Sequence, residues 1–417
     1  MHILFLTENF PPETNAPANR TWEHAREWVR EGARVTVVTT APNFPSGKVH
    51  LGYRNRWKSR ETIDGIEVIR VWSVIAANEG FAARLIDFLS FMVTGALAGL
   101  RIDKPDVVVA TSPQFFTAVA GWVVAALRRR PFVFELRDLW PESIRAVGAM
   151  RDSAALRWVE KLELFLYRRA AKVIAVTNAF RANLIARGID PAKVEVVTNG
   201  ADLSRFVLAE DPAAADALRA RLGLENTFVA SYIGTHGMAH GLTTLLDAAE
   251  RIAATPDAPP LAIVMLGEGA EKRSLCASAA RRGLGNVVFC DPVARDAVTA
   301  YWALSDVSIV HLRDTPLFRT VIPSKLFEAM AMGVPTILGV EGEAREVIEA
   351  AGCGIAVPPD DAAALAEALL ALARDPQRRA ALAQCGRTAA QGFDRAVLAA
   401  RMLGILRSVA RREGDDE

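Results

Sequence analysis

The sequence predicts an α/β protein built from two doubly wound domains in tandem. Three observations predict it. Short apolar runs alternate with helix-period segments from end to end, the pattern of βαβ units. Several of those runs are continuous Val and Ile, as expected of parallel strands covered on both faces. The series pauses at the Pro/Ala/Asp-rich stretch Asp211–Ala214, a linker signal, and then restarts. With 417 residues, 51% hydrophobic and 23% charged, the chain can fill two ordinary cores and is neither disordered nor fibrous.

In the first half the expected strands are Ile3–Leu6, Val35–Thr39, Ile66–Val71, Val107–Ala110, Phe132–Glu135, Val173–Thr177 and Val194–Val197. Helical patterns cover Ala18–Glu31, Phe115–Arg128, Leu156–Ala170 and Ala179–Arg187. In the second half the strands are Phe228–Ile233, Leu261–Leu266, Val287–Phe289, Val307–His311, Thr336–Leu338 and Ile355–Val357. The expected domains are 1–205 and 206–394, with a C-terminal helix in 395–417 that returns to the first domain. Ligands of such proteins bind at the carboxyl ends of the strands, in a cleft between the domains.

Composition removes several functions. The formal charge is +1, so the molecule is no polycation made for nucleic acid. The halves differ: residues 1–205 carry 28 Lys and Arg against 21 Asp and Glu, and the remainder carries 21 against 27. Such asymmetry marks a half that meets something anionic. The four cysteines form no C-x-x-C pair, which fits a reducing cytoplasm better than a disulfide or metal framework. The opening Met1–Leu6 reads as a strand, not a signal peptide. Phe81–Leu100 is apolar but holds Arg84 and Asp87, so it suits a buried or interfacial helix rather than a membrane span. No dinucleotide fingerprint, Walker A, H-E-x-x-H, G-x-S-x-G or Asp-x-Asp is present.

The most informative stretch runs from Val321 to Thr336. Pro323-Ser324 starts a helix that Ser324 can cap, and Gly333 and Pro335 end it. The start, at Ser324, Lys325 and Leu326, combines a positive dipole end with an ammonium and suits a phosphate. Glu328 lies on the same face, placed to accept two ribose hydroxyls. A capped amphipathic helix with solvated Lys and Glu would show the same local pattern.

The run Pro-Ser-Lys-Leu-x-Glu-x-Met-Ala-x-Gly-x-Pro closely resembles the donor signature of family 4 retaining glycosyltransferases, which have the GT-B fold of two Rossmann-like domains facing across a cleft. Asn199-Gly200-Ala201-Asp202, Gly267-Glu268-Gly269 and Phe10-Pro11-Pro12 resemble further family segments, in order along nearly the whole chain. The subgroup it looks most like makes bacterial surface polysaccharide and O-antigen, including N-acetylfucosaminyl and colanic-acid transferases. The resemblance implies that Lys325 touches a diphosphate and Glu328 the ribose, with Asn199, Gly267 and the Ser324 turn around the donor.

Three departures stand out. Thr320 occupies the place of the family's first glutamate. The loop Gly234-Thr235-His236-Gly237-Met238-Ala239-His240-Gly241 offers His236 and His240 where the family offers Arg and Lys, unless Arg319 and Lys325 supply that charge. Arg137, in Glu135-Leu136-Arg137-Asp138-Leu139-Trp140-Pro141, stands where the family has a cleft histidine. Glu135 and Asp138 then become the acidic candidates, with a structural ion pair at the strand end as the plainer account of Arg137 and Asp138.

The implied activity is metal-independent, cofactor-free, retaining transfer from a UDP-sugar, an N-acetylhexosamine or its 6-deoxy form, to a lipid-linked or saccharide acceptor. Lys325, Arg319 and the helix dipole stabilise the leaving diphosphate, and Asp138 orients the acceptor. The apolar Phe81–Leu100, the basic first half and the Tyr53–Arg60 run, where aromatic and basic residues interleave, predict peripheral contact with an anionic inner membrane face. A 2-epimerase-like isomerase and a non-catalytic nucleotide-sugar binder are the alternatives.

Overall fold

The computed structural model describes residues 1–44, 46–75, 81–139, 154–207 and 212–412. The chain divides into two compact units, Met1–Asn199 with Arg395–Glu417, and Gly200–Asp394. Of the expected linker, Asp211 lies outside the described residues, and Pro212 already opens a helix.

The first unit contains β1 (His2–Leu6), α1 (Ala16–Arg30), β2 (Arg34–Thr40), β3 (Lys58–Ile63), β4 (Ile66–Val71), α2 (Phe81–Gly99), β5 (Val107–Thr111), α3 (Phe115–Arg128), β6 (Phe132–Leu136), α4 (Ala154–Arg169), β7 (Lys172–Ala175), α5 (Asn178–Ala186) and β8 (Val194–Val196). Its sheet runs β3-β4-β2-β1-β5-β6-β7-β8. Every pairing is parallel except β3 with β4. The central strands β1, β5 and β6 are buried at every residue, which is why they read as unbroken apolar runs.

Sequence reasoning missed β3, because Lys58–Ile63 is polar and alternates exposed with half-buried. The signal was the dipeptide after it. Asp64 and Gly65 both take positive φ, 49° and 79°, as a two-residue hairpin turn requires, and they set Ile63 against Ile66. The charged edge strand also guards the sheet against a further strand. This moves the expected membrane-facing run: Lys58, Ser59 and Arg60 are part of that edge, and Arg60 lies 3.7 Å from Glu67.

The second unit contains α6 (Leu203–Val207), α7 (Pro212–Leu222), β9 (Phe228–Ile233), α8 (Thr243–Ala253), β10 (Leu261–Leu266), α9 (Lys272–Arg281), β11 (Val287–Cys290), α10 (Val298–Leu304), β12 (Val307–His311), α11 (Lys325–Met332), β13 (Thr336–Gly339), α12 (Glu343–Ala351), β14 (Gly354–Ala356), α13 (Ala362–Arg374) and α14 (Pro376–Ala390). Its sheet is parallel, in the order β11-β10-β9-β12-β13-β14. Alternate residues of β9 feed different cores. Val229 and Ile233 join Leu326, Phe327 and Met330 on one face, while Ala230 and Tyr232 join Leu245, Leu246 and Leu369 on the other.

The last helix, α15 (Arg395–Arg412), belongs to the first unit. Leu398, Met402, Leu403 and Leu406 are buried with Phe5 and Trp28, and the Trp28 indole donates to the Ala399 carbonyl at 2.9 Å. Arg395 pairs with Glu23 of α1 at 2.9 Å, both nearly sealed from solvent.

Candidate active site

In the second unit the site is built at the carboxyl ends of β9, β10 and β12, where a doubly wound sheet leaves its loops free for ligands. Gly234 follows β9 and Gly267 follows β10. A Cβ on Gly267 would lie 1.9 Å from the Gly234 carbonyl oxygen, so only glycine lets these two strand ends approach. Main-chain bonds then lock the loop: His236 N donates to Glu268 O and Glu271 N to His236 O, each at 2.9 Å.

The helix α11 begins at Lys325. Its start differs from expectation in one respect: Ser324 holds the N-cap position, but its own backbone is helical and its hydroxyl makes no capping bond. Its end is as expected, with Gly333 left-handed at φ 63°. The Lys325 ammonium reaches across to β9. Nζ sits 3.7 Å from the centroid of the Tyr232 ring, a cation–π contact, and a Cβ on Gly234 would lie 2.7 Å from it.

Two imidazoles flank the same ring. His236 and His240 have centroids 5.8 and 6.0 Å from that of Tyr232. His311, at the end of β12, fixes the loop: its Nδ1 meets the His240 carbonyl at 2.7 Å and its Nε2 accepts from Asp360 N at 3.0 Å. Lys325 Nζ, both ring nitrogens of His236 and Nδ1 of His240 are enclosed and have no hydrogen-bond partner. Burying a donor without a partner costs about 1–3 kcal/mol, so a group of them in one place is a candidate binding site.

Burial lowers each of these bases. It takes Lys325 to about 7, with Glu328 opposing; His236 to about 4, with Lys272 and Lys325 adding to the fall; and His240 to about 3, with Lys325 adding. Near neutral pH the two imidazoles are therefore uncharged, and Lys325 is close to its midpoint.

The structure thus brings together Gly234, His236, His240, Gly267 and Lys325, with Glu328 one turn along α11. Other expected donor residues have partners of their own. Arg319 is half-exposed and paired with Asp314 at 2.9 Å, so its charge is already matched. The Thr320 hydroxyl donates to Leu317 O at 2.6 Å, closing a surface turn. The Leu326 side chain is fully buried in the core, and its N–H donates to Pro323 O. Asn199 belongs to the first unit, where its side-chain oxygen accepts from Arg20 at 3.1 Å.

That arginine is the centre of a second polar cluster. Arg20 on α1 is sealed, and its Nε lies 2.8 Å from Glu135 at the end of β6. Its two amino groups donate to Thr198 O and Val197 O. The sequence offers Glu135 as an acidic catalytic candidate; here it is a buried counter-ion, its carboxyl held below the usual range by Arg20 and Arg137 against the burial that raises it. Arg137 donates to the Pro17 and Ala16 carbonyls at 3.1 and 3.0 Å, tying the strand end to the start of α1. Its N–H and that of Asp138 both donate to the Ser112 hydroxyl. Trp140 and Pro141 lie outside the described residues. Sequence reasoning missed Arg20, Tyr232 and His311. Arg20 meets Glu135 across 115 positions, and Tyr232 and His311 sit in strands that read as plain core.

Comparison with known proteins identifies the chain. Residues 15–200 match the glycosyl transferase 4-like domain and residues 227–375 the glycosyl transferases group 1 family. A GDP-mannose-dependent alpha-(1-6)-phosphatidylinositol monomannoside mannosyltransferase of Mycobacterium tuberculosis is 30% identical over 99% of this chain and 98% of its own. The chain belongs to this glycosyltransferase family. A D-inositol 3-phosphate glycosyltransferase of Kribbella flavida is 28% identical over 54% of the chain, which spans about half (53%) of that relative. Among solved structures, Anabaena HepE in complex with UDP-glucose covers 98% of the chain, and all of its own is covered, at TM-score 0.74 and 21% identity. Sucrose-phosphate synthase of Thermosynechococcus elongatus covers 98% of both chains at TM-score 0.78 and 20% identity. These likenesses confirm the GT-B fold of the family, two parallel-sheet α/β domains.

Proposed function

We propose that this glycosyltransferase moves a sugar, with retention, from a nucleoside diphosphate sugar to a lipid-linked or saccharide acceptor in surface polysaccharide synthesis. One observation carries the reading: enclosed, unpartnered nitrogens of Lys325, His236 and His240 converge on a single ring at the strand ends of the second unit. A diphosphate is the ligand such donors suit, and Glu328 is one turn away for the ribose. As the anomeric C–O bond breaks, negative charge grows on the phosphate, where preorganised donors lower the barrier most. The donor is taken as a UDP-N-acetylhexosamine or its 6-deoxy form. Support for UDP comes from HepE, solved with UDP-glucose, while the mycobacterial relative is named for GDP-mannose.

In the first unit, Asp138 beside Ser112 is the residue proposed to orient the acceptor hydroxyl. The reaction is proposed to need no metal, on the absence of any Asp-x-Asp from the sequence. Contact with an anionic membrane is proposed through the first unit. No described helix is long and apolar enough to cross a membrane.

The test is a panel of UDP-, GDP- and dTDP-sugars scored by thermal stabilisation, followed by product analysis with and without EDTA. A ligand at 100 times its Kd adds about 2.7 kcal/mol to the state that binds it. Stabilisation by a UDP-sugar and undiminished transfer in EDTA are expected. A GDP-sugar that stabilises alone would move the donor to the guanosine class, and loss of transfer on chelation, restored by Mn²⁺ or Mg²⁺, would end the metal-free reading.

A further inference from the structure

Two histidines beside Lys325 give this loop a property that fixed cations would not. A guanidinium stays protonated at any pH a cell reaches, whereas an imidazole gains or loses its proton with its surroundings. Three fixed cations packed around one ring, with no counter-ion, would repel one another at a separation where desolvation already penalises each. Two imidazoles and one lysine avoid this by giving up protons.

Other charges around the ring do not neutralise them. From the strand ends, His311 is committed to the His240 carbonyl and to Asp360 N. From α9 and the loop before it, Lys272 faces His236 as a further cation and is itself bound to Asp291 at 2.6 Å, with Glu268 a weaker partner at 3.5 Å. Glu271 acts on Tyr232, and it lies 3.8 Å from Arg313. On α11, Glu328 is the acidic group that raises Lys325. No acid is hydrogen-bonded to Lys325 Nζ, to His236 or to His240 Nδ1.

We propose that His236, His240 and Lys325 form a proton-accepting cradle: binding of the donor diphosphate draws protons from solvent onto these nitrogens, so the substrate itself creates the cations that hold its leaving group. This rests on the reading of the site as the donor diphosphate site. In the transfer step the anomeric C–O bond to the diphosphate breaks, its electron pair stays on the β-phosphate oxygen, the acceptor hydroxyl oxygen forms the new bond to the anomeric carbon, and the hydroxyl proton passes to the leaving phosphate. The cradle protons remain on nitrogen as hydrogen-bond donors and return to solvent when the nucleoside diphosphate leaves. The bound state holds more protons than the free one, so donor affinity falls as pH rises through the window in which they are taken up, roughly tenfold per pH unit for each proton.

The test is calorimetric titration of the full chain with UDP-N-acetylglucosamine and with GDP-mannose at about pH 7.5, in HEPES and in Tris. The diphosphates of these ligands have no proton of their own to exchange near neutrality. The two buffers differ in ionisation enthalpy, so the difference in heat counts protons. Uptake of about one proton per bound nucleotide sugar is expected. His236→Arg should still bind, with less uptake and a flatter dependence of Kd on pH, and His240→Asn should bind more weakly, also with less uptake. Binding by the unaltered protein with no uptake overturns the cradle and leaves the donor site standing, as does undiminished uptake in both variants. If neither nucleotide sugar binds, the donor-site reading fails and the cradle with it.

Discussion

Two polar clusters lie at the strand ends of two similar sheets, and they are finished differently. Around Arg20 the buried cations are ion-paired: Arg20 with Glu135 at 2.8 Å and Arg395 with Glu23 at 2.9 Å, with the Arg20 amino groups also on main-chain carbonyls. Around Tyr232 the buried nitrogens are left without partners. Desolvation explains the first: a buried charge is tolerated only when paired, and the pairing ties α1, the end of β6, the end of β8 and the start of α15 to one another. The second arrangement is costly by the same physics, which supports its proposal as a ligand site. Clusters that look alike as a list of residue types thus differ in whether each buried cation has an ion-pair partner beside it.

The comparison is most easily broken at its closed end. Arg20→Met leaves Glu135 buried without its salt bridge, with the carbonyls of Val197 and Thr198 unmet, and should lower unfolding free energy by about 3–5 kcal/mol in urea. Adding Glu135→Leu should recover most of that. If Arg20→Met melts like the unaltered protein, the cluster is not what holds the unit together. At the open end the outcome reverses. Lys325→Gln should leave stability unchanged or raised and reduce kcat/KM by 10²–10³, about 3–4 kcal/mol, because it removes charge stabilisation where the leaving group forms. A loss of stability larger than the loss of activity would show that Lys325 is structural. Glu328→Ala should raise the donor KM and cost roughly 2–4 kcal/mol in kcat/KM, with the fold intact, as expected for two charge-assisted bonds to a ribose.

A gentler contrast is available through pH. His24, on α1 in the ion-paired cluster, is buried and without a hydrogen bond, and burial, then Arg20, Arg395 and Arg137, push it well below the ordinary imidazole range. Its folded-state value is depressed, so the unfolded chain takes up a proton near pH 6.5 that the folded chain refuses. Stability from this group is complete above that pH and is lost on acidification, by about 1.4 kcal/mol per pH unit below it. His24→Leu should remove that slope. A bound nucleotide sugar should leave it in place while relieving the acid sensitivity of the second unit. A melting temperature that stays level from pH 7 to 5 would contradict the assignment.

Much of this was legible in the sequence, and unevenly so. The alternation of Val/Ile runs with helical periods gave the sheets, because parallel strands covered on both faces cannot hide their composition. Pro323–Pro335 gave the short helix, because Gly333 and Pro335 act locally. The charged hairpin at Asp64-Gly65 was missed because an edge strand lacks the apolar signature. The site was half legible: the glycines, histidines and Lys325 lie in loops and turns with recognisable spacing. What stayed hidden were partnerships across long separations. Nothing near Glu135 in sequence announces Arg20, 115 positions away.

The smallest effect expected concerns the surface of the first unit, and it sharpens the comparison by asking which face would carry the proposed membrane contact. Two faces compete. One is the β3 edge, where the basic run Arg54–Arg60 lies with Trp57 exposed. The other is the outer side of α2, α3 and α4, which expose Ile86, Val93, Leu97, Leu127 and Trp158. Ile86, Val93 and Leu97 are seven and then four residues apart, so they form one stripe along α2. Its opposite side is packed, with Phe91 and Ala98 buried. Arg101 and Arg128-Arg129-Arg130 follow the ends of α2 and α3, supplying the basic rim an anionic surface favours. Such a stripe is what remains when half of an apolar helix faces the core and half does not, and this favours the helical face over the strand edge. Val93→Ser with Leu97→Ser should therefore weaken binding to anionic vesicles by about 1 kcal/mol for each side chain, with the melting temperature and transfer to a water-soluble acceptor unchanged. Replacing Arg54, Arg56 and Lys58 by Ser should have the lesser effect. The reverse ranking would put the membrane at the β3 edge, and vesicles ignored at low salt by the unaltered protein would remove the membrane contact altogether.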